Sequence, residues 1–159
     1  MNSTPSLATL GLPPLVQIGF VVRDLHESMR QYERLYGPWQ HFDGSVPAAT
    51  YRGRTADVKL DIAIGHSGAL EIELIQWVSG ESPHREFIER GREGMHHVQY
   101  RVEDADGWIA RLAELGYHPI WYKRWCADTR FAYLERSGDP LIVELLEMPA
   151  GGPGTRLPG

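Results

Sequence analysis

The chain repeats itself. Val16-Gln17-Ile18-Gly19-Phe20-Val21-Val22-Arg23-Asp24 returns 80 residues later as His96-His97-Val98-Gln99-Tyr100-Arg101-Val102-Glu103-Asp104. An internal repeat is read before any single element, because it fixes the architecture. Each run is β-prone with a period of two, and each ends in an aspartate placed to cap a helix. The helices that follow carry apolar faces at Leu25, Met29, Tyr32 and Leu35, and at Ala105, Trp108, Leu112 and Leu115. Gly37 and Gly116 stand where left-handed C-terminal caps are expected, each with a proline within three residues.

Each half closes on a matching strand, Leu70 to Gln76 in the first and Leu141 to Glu147 in the second. Shorter β-like runs lie between helix and closing strand: Val58 to Ile64, then Tyr117 to Tyr122 and Arg130 to Glu135. Both halves read as strand–helix–strand–strand–strand, so the expected class is α+β with two βαβββ modules. The modules span 13–78 and 95–148. A linker over 79–94 carries a short helix at Pro83 to Arg90, with Ser82 as its cap. The stretches 1–12 and 149–159, rich in Pro, Gly and small polar residues, read as flexible tails.

Strand alternation decides what the repeat brings together. Gln17, Gly19 and Val21 share one face of the first strand, and His97, Gln99 and Arg101 share the matching face of its counterpart. In the closing strands Glu71, Glu73, Ile75 and Trp77 share a face, as do Ile142, Glu144 and Leu146. Val143 and Leu145 go under the helix, so Glu144 points away from it. An enclosed carboxylate there needs a partner. If the halves pair around a pseudo-two-fold axis, Gln17, Glu73, His97 and Glu144 meet in one cleft. One imidazole, two carboxylates and one amide oxygen suit a divalent ion such as Zn, Ni, Co, Mn or Fe(II). Such an ion would polarise a carbonyl while Glu144 or Glu73 moves a proton as catalytic base. The plainer alternative pairs Glu73 and Glu144 with arginines, Arg101 and Arg130 being the candidates.

At these residues the sequence resembles the vicinal oxygen chelate superfamily, the glyoxalase/bleomycin-resistance/dioxygenase group. The motifs that carry the resemblance are Gln17 to Leu25, Ile72 to Ile75, Gly94 to Val98 and Val143 to Leu146. It implies paired βαβββ modules whose curled mixed sheets form a metal-binding cleft, with Gln17, Glu73, His97 and Glu144 at the ligand positions and one divalent metal ion as cofactor. The stretch Ser82 to Leu115 looks most like methylmalonyl-CoA epimerases. Those enzymes usually have His at the position of Gln17, and their second catalytic glutamate has no match here, where Tyr51 to Asp57 stands instead. The set Gln, Glu, His, Glu is the pattern of the zinc form of glyoxalase I, although no glutathione-binding segment is recognisable. The resemblance therefore implies an isomerase or epimerase, or a glyoxalase-type lyase, acting next to a carbonyl on a small molecule with two chelating oxygens, a CoA thioester being the specific expectation. A metal-free small-molecule-binding protein of the bleomycin-resistance type and an extradiol dioxygenase are the alternatives. A homodimer is expected by the same resemblance.

Four further side chains are expected to bind substrate. Trp125 and Tyr133 would form an apolar wall, Arg52 beside Tyr51 and Arg54 would hold an anionic group, and Arg101 shares the strand face of His97. Cys126 lacks a His/Asn arrangement for nucleophilic chemistry. His96 reads as a core histidine on the helix side, His66 as a turn residue, and His41 and His118 have no partner placed by the sequence. A formal net charge of -5 argues against nucleic acid and anionic membrane as partners. The single cysteine excludes an internal disulfide. No apolar run approaches the roughly 20 residues that span a bilayer, so a cytoplasmic location is the expectation.

Overall fold

The structure is a computed structural model that describes residues 9–153. Much of both expected tails therefore lies outside the described residues. In chain order the elements are β1 (Leu15–Val21), α1 (Leu25–Tyr36), β2 (Gln40–Asp43), β3 (Val46–Tyr51), β4 (Arg54–Ser67), β5 (Leu70–Gly80), α2 (Pro83–Glu89), β6 (Gly94–Arg101), α3 (Ala105–Ala113), β7 (Tyr117–Cys126), β8 (Thr129–Arg136) and β9 (Asp139–Glu147). The nine strands form one sheet in the order β2-β4-β3-β7-β8-β9-β6-β1-β5, and β5 pairs back onto β4, so the sheet curls into a closed barrel. The fold is the expected α+β pair of βαβββ modules, with one refinement. The strand after α1 is broken into β2 and β3, which follow one another along the same edge of the long β4.

The two halves are joined at two seams. β1 runs antiparallel to β6, the repeat pairing with its own copy, and β3 meets β7 through Thr50–Tyr122 and Tyr51–Trp121. Within each half the closing strand lies parallel to the opening one, with β5 beside β1 and β9 beside β6.

Both aspartate caps form. Asp24 accepts from the Glu27 N–H and Asp104 from the Gly107 N–H, each at 3.0 Å. The repeat extends to the next orphan donors: Leu25 N–H donates to Gln76 Oε1 at 2.8 Å, and Ala105 N–H to Glu147 Oε1 at 3.0 Å. Gln76 lies within β5 and Glu147 ends β9, so closing strand and helix are locked together in the same way twice. Ser82 does not cap α2, because its hydroxyl is turned to His84. Gly37 is not a left-handed cap, since its φ is -70°. The apolar face of α1 is only half used: Leu25 is buried, whereas Tyr32 and Leu35 are exposed. His66 belongs to β4 rather than to a turn.

Three apolar clusters follow from strand alternation. Leu60, Ile62, Ile75, Trp121, Phe131 and Tyr133 fill part of the barrel interior. Val98, Leu134, Val143 and Leu145 pack under α3, and Val22, Ala63 and Leu74 pack under α1.

Candidate functional site

The barrel interior is not wholly apolar. His97 is fully buried, and its Nε2 lies 3.2 Å from Glu73 Oε1 and 3.3 Å from Glu144 Oε2. The β1–β6 pairing explains why it fits. Gly19 sits opposite His97, and a β-carbon on Gly19 would come within 2.0 Å of His97 Cε1. Glu73 is the registered neighbour of Gly19 on β5, and Glu144 is the neighbour of Gln99 on β9. The two acids thus approach the imidazole from the two halves of the repeat.

His97 Nε2 has aligned hydrogen-bond geometry to neither carboxylate, so this buried nitrogen is held at ion-pair distance without a directed bond. Burial by itself pulls the imidazole down. The carboxylates of Glu144 and Glu73 outweigh it and hold it up to about 9. Burial likewise raises the Glu73 carboxyl above the usual range, with His97 opposing and Glu144 adding to the rise. The arginine alternative is excluded: Arg130 pairs with Asp106 at 2.6 Å and with Glu147 at 3.4 Å, and Arg101 is exposed.

Gln17 is buried on the same face, but its Oε1 accepts from Gln99 Nε2 at 3.1 Å. It stands two residues from Gly19, about 6.6 Å along an extended strand. Its carbonyl retains one lone pair for a further partner. The structure therefore brings Glu73, His97 and Glu144 together and leaves Gln17 beside them, engaged with Gln99.

His96 corrects the simple alternation. β1 pairs Gly19 with His97 but Phe20 with Met95, so His96 is the extra residue of a β-bulge. It is a core histidine as expected, but it packs on α2, against His84 and Phe87, and its Nδ1 lies 3.0 Å from His97 Nδ1. An imidazolium has no free lone pair, so a protonated His97 donates this bond and His96 accepts it. Burial keeps His96 and His84 neutral, holding both well below the usual histidine range.

The sequence reading missed His84. It lies between Ser82 Oγ, 3.0 Å from its Nδ1, and Tyr133 Oη, 3.2 Å from its Nε2. Ligand atoms of His84, His96 and His97 lie within 4.8 Å of one another, so this buried trio could also hold a metal if it gave up those hydrogen bonds. Only its place ahead of the repeat, in the linker helix, marked His84 in the sequence.

A cavity of about 320 Å³ opens onto Glu73, Glu144, Ile75 and Tyr133, with Trp121, Trp125 and Phe131 on its walls and Phe42 to Val46 along one side. Trp125 and Tyr133 both line this cavity. Burial, then the charges of Glu144 and Glu73, hold the Tyr133 phenol well above its usual range, so it is a permanent O–H donor. Arg52 does not reach this cavity, because its guanidinium is bound by Glu86 at 2.6 Å and Glu135 at 2.8 Å. Arg101 does not line it either. A larger cavity of about 660 Å³, between Thr9 to Leu15 and the end of α3, includes none of the candidate residues. His41 does have a partner, Asp61 at 2.6 Å. Among the described residues no helix is long and apolar enough to cross a membrane.

A family model for the glyoxalase/bleomycin resistance protein/dioxygenase superfamily matches residues 16–133. No protein of curated function matches the sequence. Solved structures do share the fold. A hypothetical protein from Bacillus halodurans is 24% identical, with a TM-score of 0.63 over 86% of this chain and 94% of its own. Methylmalonyl-CoA epimerase from Mycobacterium tuberculosis is 20% identical, with a TM-score of 0.60 over 91% and 94%. A methylmalonyl-CoA epimerase in complex with methylmalonyl-CoA and NH4+ is 18% identical, with a TM-score of 0.61 over 89% and 98%.

Proposed function

The chain belongs to the glyoxalase/bleomycin resistance protein/dioxygenase superfamily, and from that premise we propose that it transfers a proton at the carbon next to a carbonyl, as an isomerase or epimerase or as a glyoxalase-type lyase. The supporting observation is the buried imidazole of His97, suspended between Glu73 and Glu144 beside a cavity that both carboxylates line.

The donors fit a divalent metal, Zn, Ni, Co, Mn or Fe(II). An unaligned, buried imidazole nitrogen flanked by two carboxylate oxygens is the arrangement a cation would occupy once the His97 proton leaves. Glu73, His97 and Glu144 would hold it, with Gln17 as the fourth group through its remaining lone pair. When bound, the metal would polarise the substrate carbonyl and favour an enolate.

The chain's own groups supply the rest. Glu73, made more basic by burial, takes the α-proton, and the C–H electron pair moves into the enolate. For inversion, Glu144 in its protonated form delivers a proton to the opposite face of the same carbon, and the two carboxyl groups return to their starting forms by exchanging protons with solvent through the cavity. For isomerisation, an α-hydroxyl of the enediolate passes its proton to the former carbonyl oxygen, and Glu73 returns its proton to the former carbonyl carbon. Tyr133, held by His84, donates its O–H towards a substrate oxygen, and His96 fixes the His97 ring through Nδ1. A CoA thioester is one member of this substrate class. The superfamily also implies a homodimer, although every candidate residue comes from one chain.

The test is metal content together with hydrogen exchange. Protein purified without chelators is expected to carry about one divalent ion per chain, and His97→Ala to lose both the ion and α-proton exchange into D2O. Protein that is metal-free yet folded and binds small molecules without exchange would instead support the bleomycin-resistance type of reading. One observation favours that rival: the ion pairs already satisfy the charge of His97.

A further inference from the structure

The lining of the cavity bears on its substrate. Among the described residues that line it there is no lysine, arginine or histidine, whereas Asp43, Glu73 and Glu144 are acidic. Of the basic groups nearby, three arginines are held by carboxylates outside the cavity, and the charge of Lys59 acts on the Asp43 carboxyl at its edge. Arg52 is bound by Glu86 and Glu135, Arg54 by Glu81 at 2.8 Å, and Arg130 by Asp106 and Glu147. The ammonium of Lys123 bonds Pro47 O and stands 4.6 Å from the centre of the Trp125 ring.

The charge count at the centre agrees. Two carboxylates and an imidazolium sum to -1, and two carboxylates with a neutral imidazole and a divalent cation sum to zero. Neither state has a positive charge left for a carboxylate or phosphate on the substrate. An anion carried in would be desolvated beside like charges, which is unfavourable unless it is paired. The remaining walls are flat and apolar. Trp121, Phe131 and Tyr133 pack on one another with ring centres 4.6 to 6.1 Å apart, and Trp125 extends the wall to a position 44% exposed. The Trp121 indole N–H is buried without a partner. At about 320 Å³ the cavity lies near the lower end of ligand-pocket volumes, roughly 300–1,000 Å³. It admits a ring or two, and a nucleotide-sized handle would have to lie outside it.

We infer that the cleft takes an uncharged α-hydroxyketone carried on an aromatic ring, recognised by ring packing and not through a carboxylate, phosphate or CoA group. The inference rests on the proton-transfer reading for the α-hydroxyketone and on the lining for the rest. Within that reading it sets the CoA thioester aside.

The probes are benzoin, an uncharged aryl α-hydroxyketone, mandelate, an anionic aryl α-hydroxy acid, and methylmalonyl-CoA. Each is titrated against tryptophan fluorescence of the full chain, both metal-stripped and zinc-loaded. Benzoin is expected to bind saturably in both forms, at least about tenfold more tightly than mandelate or methylmalonyl-CoA. Trp125→Ala is expected to weaken benzoin several-fold and leave mandelate unchanged. Tighter binding of either anion, no binding of benzoin, or benzoin binding unchanged by Trp125→Ala would overturn the inference. NMR of the benzoin carbinol hydrogen in D2O is read separately against a protein-free control. Binding without catalysed exchange supports the substrate class and counts against the proton-transfer reading alone.

Discussion

A single hydrogen atom in place of a side chain makes room for the central imidazole. With a β-carbon 2.0 Å from His97 Cε1, Gly19→Ala has to push either the ring or β1 aside. Overpacking of this kind costs about 1–3 kcal/mol. The variant is expected to fold with a lowered melting temperature and to lose metal and α-proton exchange. Leu134→Ala, under α3, should cost more stability, about 2–5 kcal/mol, yet keep both properties per folded molecule. A Gly19→Ala protein that still carries metal and exchanges normally would show that the position of His97 does not matter. Period-two alternation was enough to put Gln17, Gly19, Glu73, His97 and Glu144 on interior faces, because that period is a property of the strand alone. It could not place His96, since a bulge is a two-against-one register between β6 and β1 that neither strand announces by itself. The pairing of Gln17 with Gln99, 82 residues away, was hidden for the same reason.

Among the elements, α2 departs furthest from its sequence reading as a linker helix. Its first residues are buried: Ser82, Pro83 and His84 enter the barrel wall, and His84 reaches Tyr133. Its first turn is also tied down from the β3–β4 turn. Glu86 receives two bonds from Arg52, at 2.6 and 2.9 Å, and one from the Tyr51 hydroxyl. Arg52 is fixed in this pose by a positive φ of 46° in a turn completed by Gly53. The helix was legible from its proline and its expected cap, but the partners of Glu86 lie 34 and 35 residues away, and nothing local selects them. That is why Arg52 read as an anion-binding residue.

The same contact sets a pH dependence. Burial alone would raise the Glu86 carboxyl, but the bonds from Arg52 and Tyr51 outweigh it and hold the group below the usual glutamate range. A carboxyl lowered on folding stabilises the protein above its unfolded value and stops doing so as the pH falls through its folded value. Glu86→Gln is therefore expected to be less stable than the parent at pH 7, by about 1 kcal/mol for a partly exposed pair. Urea titrations at pH 7 and pH 3 should show the gap narrowing in acid. A gap of equal size at both values would mean that the contact acts through packing and not through charge.

For the whole molecule, closure of the barrel rests on two unequal seams. β1 and β6 pair over most of their length, whereas β3 and β7 meet at Thr50–Tyr122 and Tyr51–Trp121, with Arg52 N–H bonding Ile120 O at 2.9 Å just beyond. The short seam lies by the cavity, since Trp121 is one of its walls, and the long seam carries His97 and Gly19. Local opening takes less free energy where fewer ladder bonds and less buried surface must be given up. The β3–β7 seam should therefore open first and expose the aromatic wall while the imidazole and its two carboxylates stay in place. Hydrogen exchange resolved by NMR under native conditions checks this directly. Amides of Thr50, Arg52 and Tyr122, which face the short seam, should exchange by local opening, faster than the bonded amides of Ile18, Val98 and Gln99, which should approach the global limit. With benzoin bound against the wall formed by Trp121 and Phe131, protection should rise at the β3–β7 seam and change little at β1–β6. Equal protection at the two seams in the free protein would mean that the barrel opens as one unit. Substrate would then have to enter past Phe42 to Val46 and Trp125 without help from the seam.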